Sequence, residues 1–295
     1  MTSQSVLFDA PGPKARRRMM WLNIVFGLVV AGIAVLVLAQ LGAKGQLAAD
    51  LWTPFLQWSA WENFLIPGLI NTLRAAGLAI IGSAVFGLIF GLGRLSQSRI
   101  IRTLSGIVVE FFRAVPVLLM MIFIWLGLSQ VNITMLRPSE YPLVAVVAAL
   151  ILYNGSVFAE LVRSGVYSLP RGQREAALAV GLTRPQSLRS VEVPQALIAM
   201  LPALVSQLVV ILKDTALGYI ITYRELLQEA RGLGNANGNI LQALAVAAVI
   251  FIVINYALTK LAPWVGQRLG RRTSGRTKAE APSLIAATRG ASTVQ

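Results

Sequence analysis

The sequence predicts an all-α, polytopic membrane protein with six transmembrane helices. Hydrophobic residues make up 56% of the 295 positions, and charged residues make up only 13%. The apolar residues are gathered in six uncharged runs, each about as long as the ~20 residues that a helix needs to cross a bilayer. Helices are expected because each one satisfies its own backbone hydrogen bonds in lipid. The runs lie between Arg18 and Lys44, Arg74 and Arg94, Arg113 and Arg137, Glu140 and Glu160, Glu192 and Lys213, and Arg231 and Lys260.

The net charge of +14 is distributed unevenly between alternate loops. Placing the N-terminus in the cytoplasm puts most of the basic residues on the cytoplasmic side, as the positive-inside rule requires. Both termini are then cytoplasmic, and the basic charge indicates topology and attraction to anionic lipid rather than nucleic-acid binding. The external loops keep only Lys44, Arg137, Arg224 and Arg231. The cytoplasmic segments hold Lys14, Arg16, Arg17, Arg18, Arg94, Arg99, Arg102, Arg163, Arg171, Arg174, Arg184, Arg189 and a basic tail from Arg268.

The first 66 residues divide into three predicted segments. Residues 1–20 form a basic cytoplasmic tail, and residues 21–43 form a first span that we expect to face lipid and to anchor the chain. Residues 44–66 form an external segment that carries several aromatic rings, which sit well at the level of the lipid headgroups. This segment is either a short interfacial helix or a docking surface for an external partner. Its rings belong to Trp52, Phe55, Trp58, Trp61 and Phe64.

Residues 67–266 form the main transmembrane domain, and residues 267–295 form a basic tail with too little apolar content to pack. The five spans of this domain are expected at 68–93, 105–128, 143–162, 195–221 and 240–265. The second span is rich in small residues, including Gly87 and Gly91, which permit close approach of helices. Pro116 should kink the third span near its cytoplasmic end.

The cytoplasmic loop 166–193 has the pattern of a helix, a glycine and a second helix. The stretch from Gln173 to Val180 should form a short helix with Glu175 in its first turn, where a carboxylate suits the helix dipole. Gly181 fits the left-handed cap that ends such a helix, and Thr183 with Gln186 forms a capping box for the next one. Two functions fit an exposed apolar helix of this kind. It inserts into a groove on a partner protein, or it lies on the inner leaflet of the membrane.

Ionisable residues within the spans are expensive and therefore mark functional hypotheses. Lys213 and Asp214, followed by Thr215, form the deepest group, and they either clamp two helices or line the translocation path. Arg74, near the outer mouth, either attracts an acidic substrate or reaches the headgroups. A further set is expected to act as an inner gate or brace, because its members are three residues apart and share a helix face. That set comprises Glu110, Arg113, Glu160 and Arg163.

Several classes of function are excluded by missing residue types. The chain has no cysteine and no histidine, so disulfides and sites that use a thiolate or an imidazole cannot form. It lacks the phosphate-binding loop of ATPases, and no catalytic motif indicates an enzyme. A secondary transporter driven by an ion gradient is the main alternative, although such transporters have inverted repeats and none is visible here. A membrane scaffold or sensor subunit is the third possibility.

Four motifs together resemble the permease subunits of polar amino acid ABC importers. The loop carries GQREAALAVGLT from Gly172 and PQALIAMLP from Pro194, which is similar to the EAA loop of these permeases. Phe112–Pro116, Tyr153–Gly165 and Leu212–Leu217 are similar to three further segments of the family, in the same order. The similarity covers residues 66–265, and the basic start followed by an added first span most resembles the larger permease subunit of actinobacterial glutamate importers.

The resemblance implies a five-helix type I importer core plus one extra N-terminal helix. It implies a second, related permease, two ATPase subunits that dock on the EAA loops, and an extracellular substrate-binding lipoprotein. ATP and magnesium would be bound by the ATPases, and this chain would bind no cofactor or metal itself. Glutamate is the substrate that the resemblance suggests. The residues that would receive the ATPase stroke are Gly172, Glu175, Ala176, Ala177 and Gly181.

Overall fold

The computed structural model describes residues 12–131 and 135–273, with side chains described through residue 260. Within those ranges every regular element is a helix. Five helices are long and apolar enough to cross a membrane, and a bent pair supplies a sixth span when it is counted as one. The prediction of an all-α protein with six spans is confirmed. The helices are α1 (Pro13–Ala43), α2 (Trp58–Arg94), α3 (Arg99–Ala114), α4 (Val117–Val131), α5 (Tyr141–Ser168), α6 (Arg171–Ala179), α7 (Arg184–Ser187, Leu188–Glu192 and Val193–Ala199, continuous), α8 (Leu201–Asp214), α9 (Leu226–Asn237) and α10 (Ile240–Thr273).

Helix α1 stands apart from the rest of the chain. It begins at Pro13, before the start expected at residue 21, because Pro13 occupies the first turn of a helix, where its missing N–H costs nothing. None of the residues described in α1 is buried. A helix that is apolar all round and exposed along its length is suited to lipid. The remainder of the predicted tails, residues 1–11 and 274–295, lies outside the described residues.

The segment after α1 packs onto α9 and α10. It forms two short turns, Ala49–Leu51 and Thr53–Leu56, before α2 begins. Phe55 is buried, and the segment is held by two side-chain amides, one in the link between α9 and α10 and one in α10. Asn239 Nδ2 donates to the carbonyl of Leu51 at 2.7 Å, and Gln242 Nε2 donates to the carbonyl of Gln46 at 2.6 Å. This part of the predicted external segment is therefore a cap on the helical domain.

Helices α2 and α5 meet along a seam of glycines. A Cβ atom at Gly87 would collide with Phe158 of α5 and would lie 3.1 Å from the carbonyl oxygen of Gly155. One at Gly91 would lie 3.1 Å from the carbonyl oxygen of Ala159. Because backbone atoms occupy the space that side chains would need, only glycine permits this approach.

The predicted third span, 105–128, is wrong as a single kinked helix. The chain breaks at Val115 and Pro116, and α3 and α4 are bent by 97°. The physical reason is that proline removes a helical hydrogen bond and disfavours helical geometry in the residue before it. Helix α3 packs against α2 and α5, with Ser105 and Val109 buried.

The fifth predicted span is also interrupted. It is divided at Met200, between α7 and α8, and at Asp214, where the α-helix tightens into the 3-10 turn Thr215–Ile221. Thr222 then adopts a left-handed conformation with φ of 61°, which turns the chain into α9. Helices α2, α4, α5 and α8 share the central apolar core, which includes Ala79, Met121, Ala149, Leu150 and Ile211.

Candidate functional site

The most distinctive feature at one end of the bundle is the helical hairpin made by α6 and α7, here called the coupling hairpin (residues 171–192). Gly181 adopts φ of +88°, a conformation that favours glycine. Its N–H donates to the carbonyl of Leu178 at 3.0 Å, and the N–H of Leu182 donates to the carbonyl of Ala177 at 3.1 Å. This pair of hydrogen bonds is the pattern of a Schellman cap. The cap fixes the direction in which the chain leaves α6.

The second arm starts with a capping box, as the sequence predicts. The backbone N–H of Thr183 donates a hydrogen bond to Oε1 of the Gln186 side chain at 2.8 Å. The prediction that Glu175 lies in the first turn of α6 is wrong. The helix already begins at Arg171, directly after Pro170 at the N-cap position. Glu175 therefore falls in the second turn.

The two arms are clamped together by polar contacts. Glu192, which is 4% exposed, accepts a hydrogen bond from Ser187 Oγ at 2.9 Å and an ion pair from Arg174 at 3.1 Å. Gln195 Nε2 donates to Gln173 Oε1 at 3.1 Å. The contacts of Arg174 with Glu192 and of Gln173 with Gln195 join the start of α6 to α7, while the bond from Ser187 holds Glu192 in place within α7.

The opposite flank of α6 is left free. Successive residues are 100° apart around a helix, so Glu175, Ala176 and Ala179 point away from the side that carries Arg174 and the buried Ala177. All three are exposed, and Val180 at the end of the helix is 78% exposed. The predicted coupling residues are thus divided: Ala177 anchors the hairpin, while Glu175 and Ala176 face outward.

The two remaining glycines of the predicted set have different surroundings. Gly172 lies in the first turn of α6, is exposed, and has open space around the position of a Cβ atom. Gly181 also has open space, but its positive φ strains any other residue. Gly172 is therefore required by no contact within the described chain, whereas Gly181 is required by the backbone itself.

The hairpin is joined firmly to the spans on either side. Val166 near the end of α5 packs with Val193 and Ala196 of α7. A Cβ atom on Gly165 would collide with the side chain of Met200, at the start of α8. The hairpin is therefore in side-chain contact with α5 and is continuous with the residue that precedes α8.

Beside the hairpin, the predicted inner brace forms a connected ionic network. Glu160 and Arg163 pair at 2.6 Å, and Glu110 and Arg113 pair at 3.4 Å. Arg94, the last residue of α2, links the two pairs, with its guanidinium 2.9 Å from Glu160 and 3.1 Å from Glu110. The network thus ties together the ends of α2, α3 and α5. The role of Arg94 in this network was not predicted, because its two partners are distant in sequence. The only signal in the sequence was its position at the end of an uncharged run.

The Lys213, Asp214 and Thr215 group lies where α8 ends. Thr215 is fully buried and its hydroxyl donates to the carbonyl of Leu212 at 2.7 Å. Lys213 is exposed and Asp214 is half-buried, and neither forms an ion pair with another side chain among residues 12–131 and 135–260. Within the part of the chain that the structure describes, this pair therefore has no ionic partner on a second span.

At the end of the bundle opposite the hairpin, Arg74 lines a cavity of about 610 Å³. The cavity also contains Asn71, Trp125, Tyr141 and Arg224. Asn71 Nδ2 donates to the carbonyl of Arg224 at 2.8 Å, and the hydroxyl of Tyr223 donates to the carbonyl of Asn71 at 2.8 Å. The loop before α9 is thereby fixed to α2, and the charged residues that line the cavity are Arg74, Arg224 and Glu140.

A buried carboxyl lies behind this cavity and was missed by the sequence reasoning. Glu225 is fully buried and caps α9 by accepting hydrogen bonds from the N–H groups of Leu227 at 2.8 Å and Gln228 at 2.7 Å. Burial raises its pKa to about 7, against the two backbone hydrogen bonds, which lower it. The capping position before an apolar run could have indicated its structural role, but not its burial.

Comparison with known proteins decides the family. The model for binding-protein-dependent transport system inner membrane components matches residues 83–271. The chain belongs to this family. As a permease of this kind it is a transport component rather than an enzyme, and it acts together with an ATPase and a substrate-binding protein.

Individual relatives of the permease agree with this assignment. It is 46% identical to the glutamate transport system permease protein GluD of Corynebacterium glutamicum, over 78% of this chain and 84% of that protein. It is 34% identical to the probable glutamine ABC transporter permease protein GlnP of Bacillus subtilis, over 68% and 88% of the two chains. A crystal structure of an amino acid ABC transporter with histidines superposes with a TM-score of 0.65 at 28% identity, covering 72% of this permease and 98% of that chain.

Proposed function

We propose that this permease imports a polar amino acid and that its substrate is glutamate. We further propose that the ATPases contact the coupling hairpin and that their ATP-driven movement displaces it. The observation that carries the proposal is the division of α6 into a clamped flank and a free flank. A lever must be stiff on the side that holds it and accessible on the side that is pushed. Arg174 and Ala177 supply the first property, and Glu175 and Ala176 supply the second.

The proposed assembly contains two ATPase subunits, which bind ATP and magnesium, and a second related permease that completes the path. The coupling hairpin and both termini lie in the cytoplasm, and an extracellular binding lipoprotein delivers the substrate to the opposite end. Support for this orientation comes from the basic residues gathered at the hairpin end, where a cytoplasmic location is expected. The match to ABC permeases supports ATP as the energy source and gives no support to the ion-gradient alternative.

Glutamate is supported by the similarity to a glutamate permease and by the guanidinium of Arg74, which lines the cavity at the opposite end. Arg224 contributes less to this charge because it pairs with Glu229 at 2.5 Å. Lys213 and Asp214 are proposed to line the path or to reach the second permease, since they have no ionic partner within the described chain.

The test is uptake in proteoliposomes that contain the permease with its partner permease, ATPases and binding protein. Labelled glutamate should accumulate only with ATP inside, and unlabelled glutamate should compete better than glutamine or arginine. Accumulation driven by an ion gradient without ATPase would refute the proposal. Replacing Gly181 with valine should abolish uptake while the complex still assembles, because the left-handed cap cannot form. Uptake at the unmodified rate in Gly181→Val would remove the hairpin from the coupling path.

A further inference from the structure

Beneath the coupling hairpin, a second cavity of about 480 Å³ opens between the hairpin and the ends of α2, α3 and α5. Its floor is apolar and its rim is basic. The floor is formed by Leu92, Leu95, Val166 and Leu188. The rim carries Arg94, Arg102, Arg174, Arg184 and Arg189, and Glu192 is the single acidic residue that lines it among those that the structure describes.

Three of the five arginines have no acidic partner in the described chain. Arg174 is neutralised by Glu192, and Arg94 is engaged by Glu110 and Glu160. In contrast, Arg102, Arg184 and Arg189 make no ion pair with any acidic side chain among residues 12–131 and 135–260. Three uncompensated guanidinium groups around one cavity call for an anion, and guanidinium binds phosphate oxygens well.

The position of α3 places this cavity at the level of the lipid headgroups. The bend of 97° turns α3 across the direction of α4, so α3 runs along the membrane plane when α4 crosses it. One stripe of α3 is apolar and exposed, with Ile100 72%, Leu104 58% and Ile107 61% exposed. A helix of this kind lies in the interface with its apolar face in the acyl region. Arg102 of the same helix forms part of the cavity rim.

We propose that this cavity is a binding site for the headgroup of an anionic phospholipid. The phosphate is held by Arg102, Arg184 and Arg189, and the glycerol and first acyl carbons rest on the leucine floor. The apolar floor favours a lipid over free inorganic phosphate, because phosphate alone would leave the apolar side chains of the floor exposed to water. The free flank of α6, which carries Glu175 and Ala176, points away from the cavity, so a bound lipid leaves the ATPase contact open.

The site is tested by native mass spectrometry of the full importer complex in detergent. The complex is equilibrated with equal amounts of phosphatidylglycerol and phosphatidylcholine, and the retained lipid is measured. The variant is Arg184→Gln with Arg189→Gln, both exposed residues that form no ion pair with the acidic side chains described. The control is Arg17→Gln with Arg99→Gln, which removes the same charge at the same end of the bundle but does not line the cavity.

The unmodified complex and the control should retain phosphatidylglycerol. The cavity variant should bind it about 25-fold more weakly, at about fivefold for each arginine near a headgroup. Equal loss in the control would overturn the proposal, because it would show general charge attraction. Displacement of the lipid by inorganic phosphate at equal concentration would overturn the lipid as the occupant.

A second measurement separates this site from a protein contact and from the proposed function. If the cavity variant fails to bind the ATPase in lipid-free detergent, the cavity is a docking surface for that subunit and the lipid proposal is refuted. Lipid retention is measured without substrate or ATP. A complex that binds phosphatidylglycerol but transports no amino acid would therefore refute the proposed function and leave this site intact.

Discussion

The clamp between Glu192 and the first arm of the coupling hairpin gives the most direct test of a stiff lever. In Glu192→Ala, Ser187 keeps a fully buried hydroxyl without its acceptor, which costs about 1–3 kcal/mol. The lost pair with Arg174 costs about 1 kcal/mol, the low end for a charged hydrogen bond, because that side chain is 34% exposed. The loss therefore amounts to at least about 2 kcal/mol, which raises the open population of the hairpin about thirtyfold.

The larger open population of the hairpin in Glu192→Ala should partly uncouple ATP hydrolysis from substrate import. We expect amides of residues 171–182 to exchange hydrogen at least tenfold faster in Glu192→Ala, and the amount of substrate imported per ATP to fall in proteoliposomes. Ser190→Ala, an exposed position on the same arm, is the matched control and should change neither quantity. Glu192→Gln keeps an acceptor for Ser187 and should give an intermediate result. Unchanged exchange and uptake in Glu192→Ala would refute the assignment of the clamp.

Three further predictions concern the glycine seam, the buried carboxyl of Glu225 and the cavity residue Arg74. Gly87→Ala should destabilise the complex by about 1–3 kcal/mol through overpacking against α5, whereas Gly77→Ala, with open space on the same helix, should be neutral or slightly stabilising; equal melting temperatures would contradict the seam. The raised pKa of Glu225 means that the folded state holds its proton more tightly than the unfolded chain. Its stabilising contribution is complete below the ordinary pKa of 4.5 and is lost as pH rises through about 7, so melting temperatures measured from pH 5 to 8 should fall less in Glu225→Gln; an identical pH profile would show that Glu225 is not the titrating group. Arg74→Gln should raise the KM for glutamate about fivefold, while Lys44→Gln, which does not line the cavity, should leave it unchanged; equal KM values in the two variants would remove Arg74 from substrate attraction.

Features that depend on local sequence were accessible before the structure. Uncharged runs of sufficient length predict spans because the bilayer imposes both length and polarity. Gly181 predicts a left-handed cap, and Thr183 with Gln186 predicts the start of the second arm, because each signal acts within one turn of the chain. Fold class and the outline of the hairpin follow from such short-range rules.

Features that depend on distant contacts were not accessible. Arg94 joins Glu110 and Glu160, which are 16 and 66 positions away, and hydropathy carries no information about such pairings. Pro116 indicated a kink but not a bend of 97°, because the contacts of α3 with α2 and α5 involve residues distant in sequence. The burial of Glu225 likewise depends on helices far along the chain, so its high pKa could not be anticipated.

The glycine seam between α2 and α5 has a consequence for how access alternates. Backbone atoms of the two helices interlock at Gly87 and Gly91, so neither helix can slide along the other without a collision. Interlocked elements of this kind move as one rigid body, and motion is taken up at the ends of elements. The joints available next to this pair are Met200 and Asp214, which bound α8. We therefore expect α8 to rock as a separate gate against a fixed α2–α5 wall during each transport cycle.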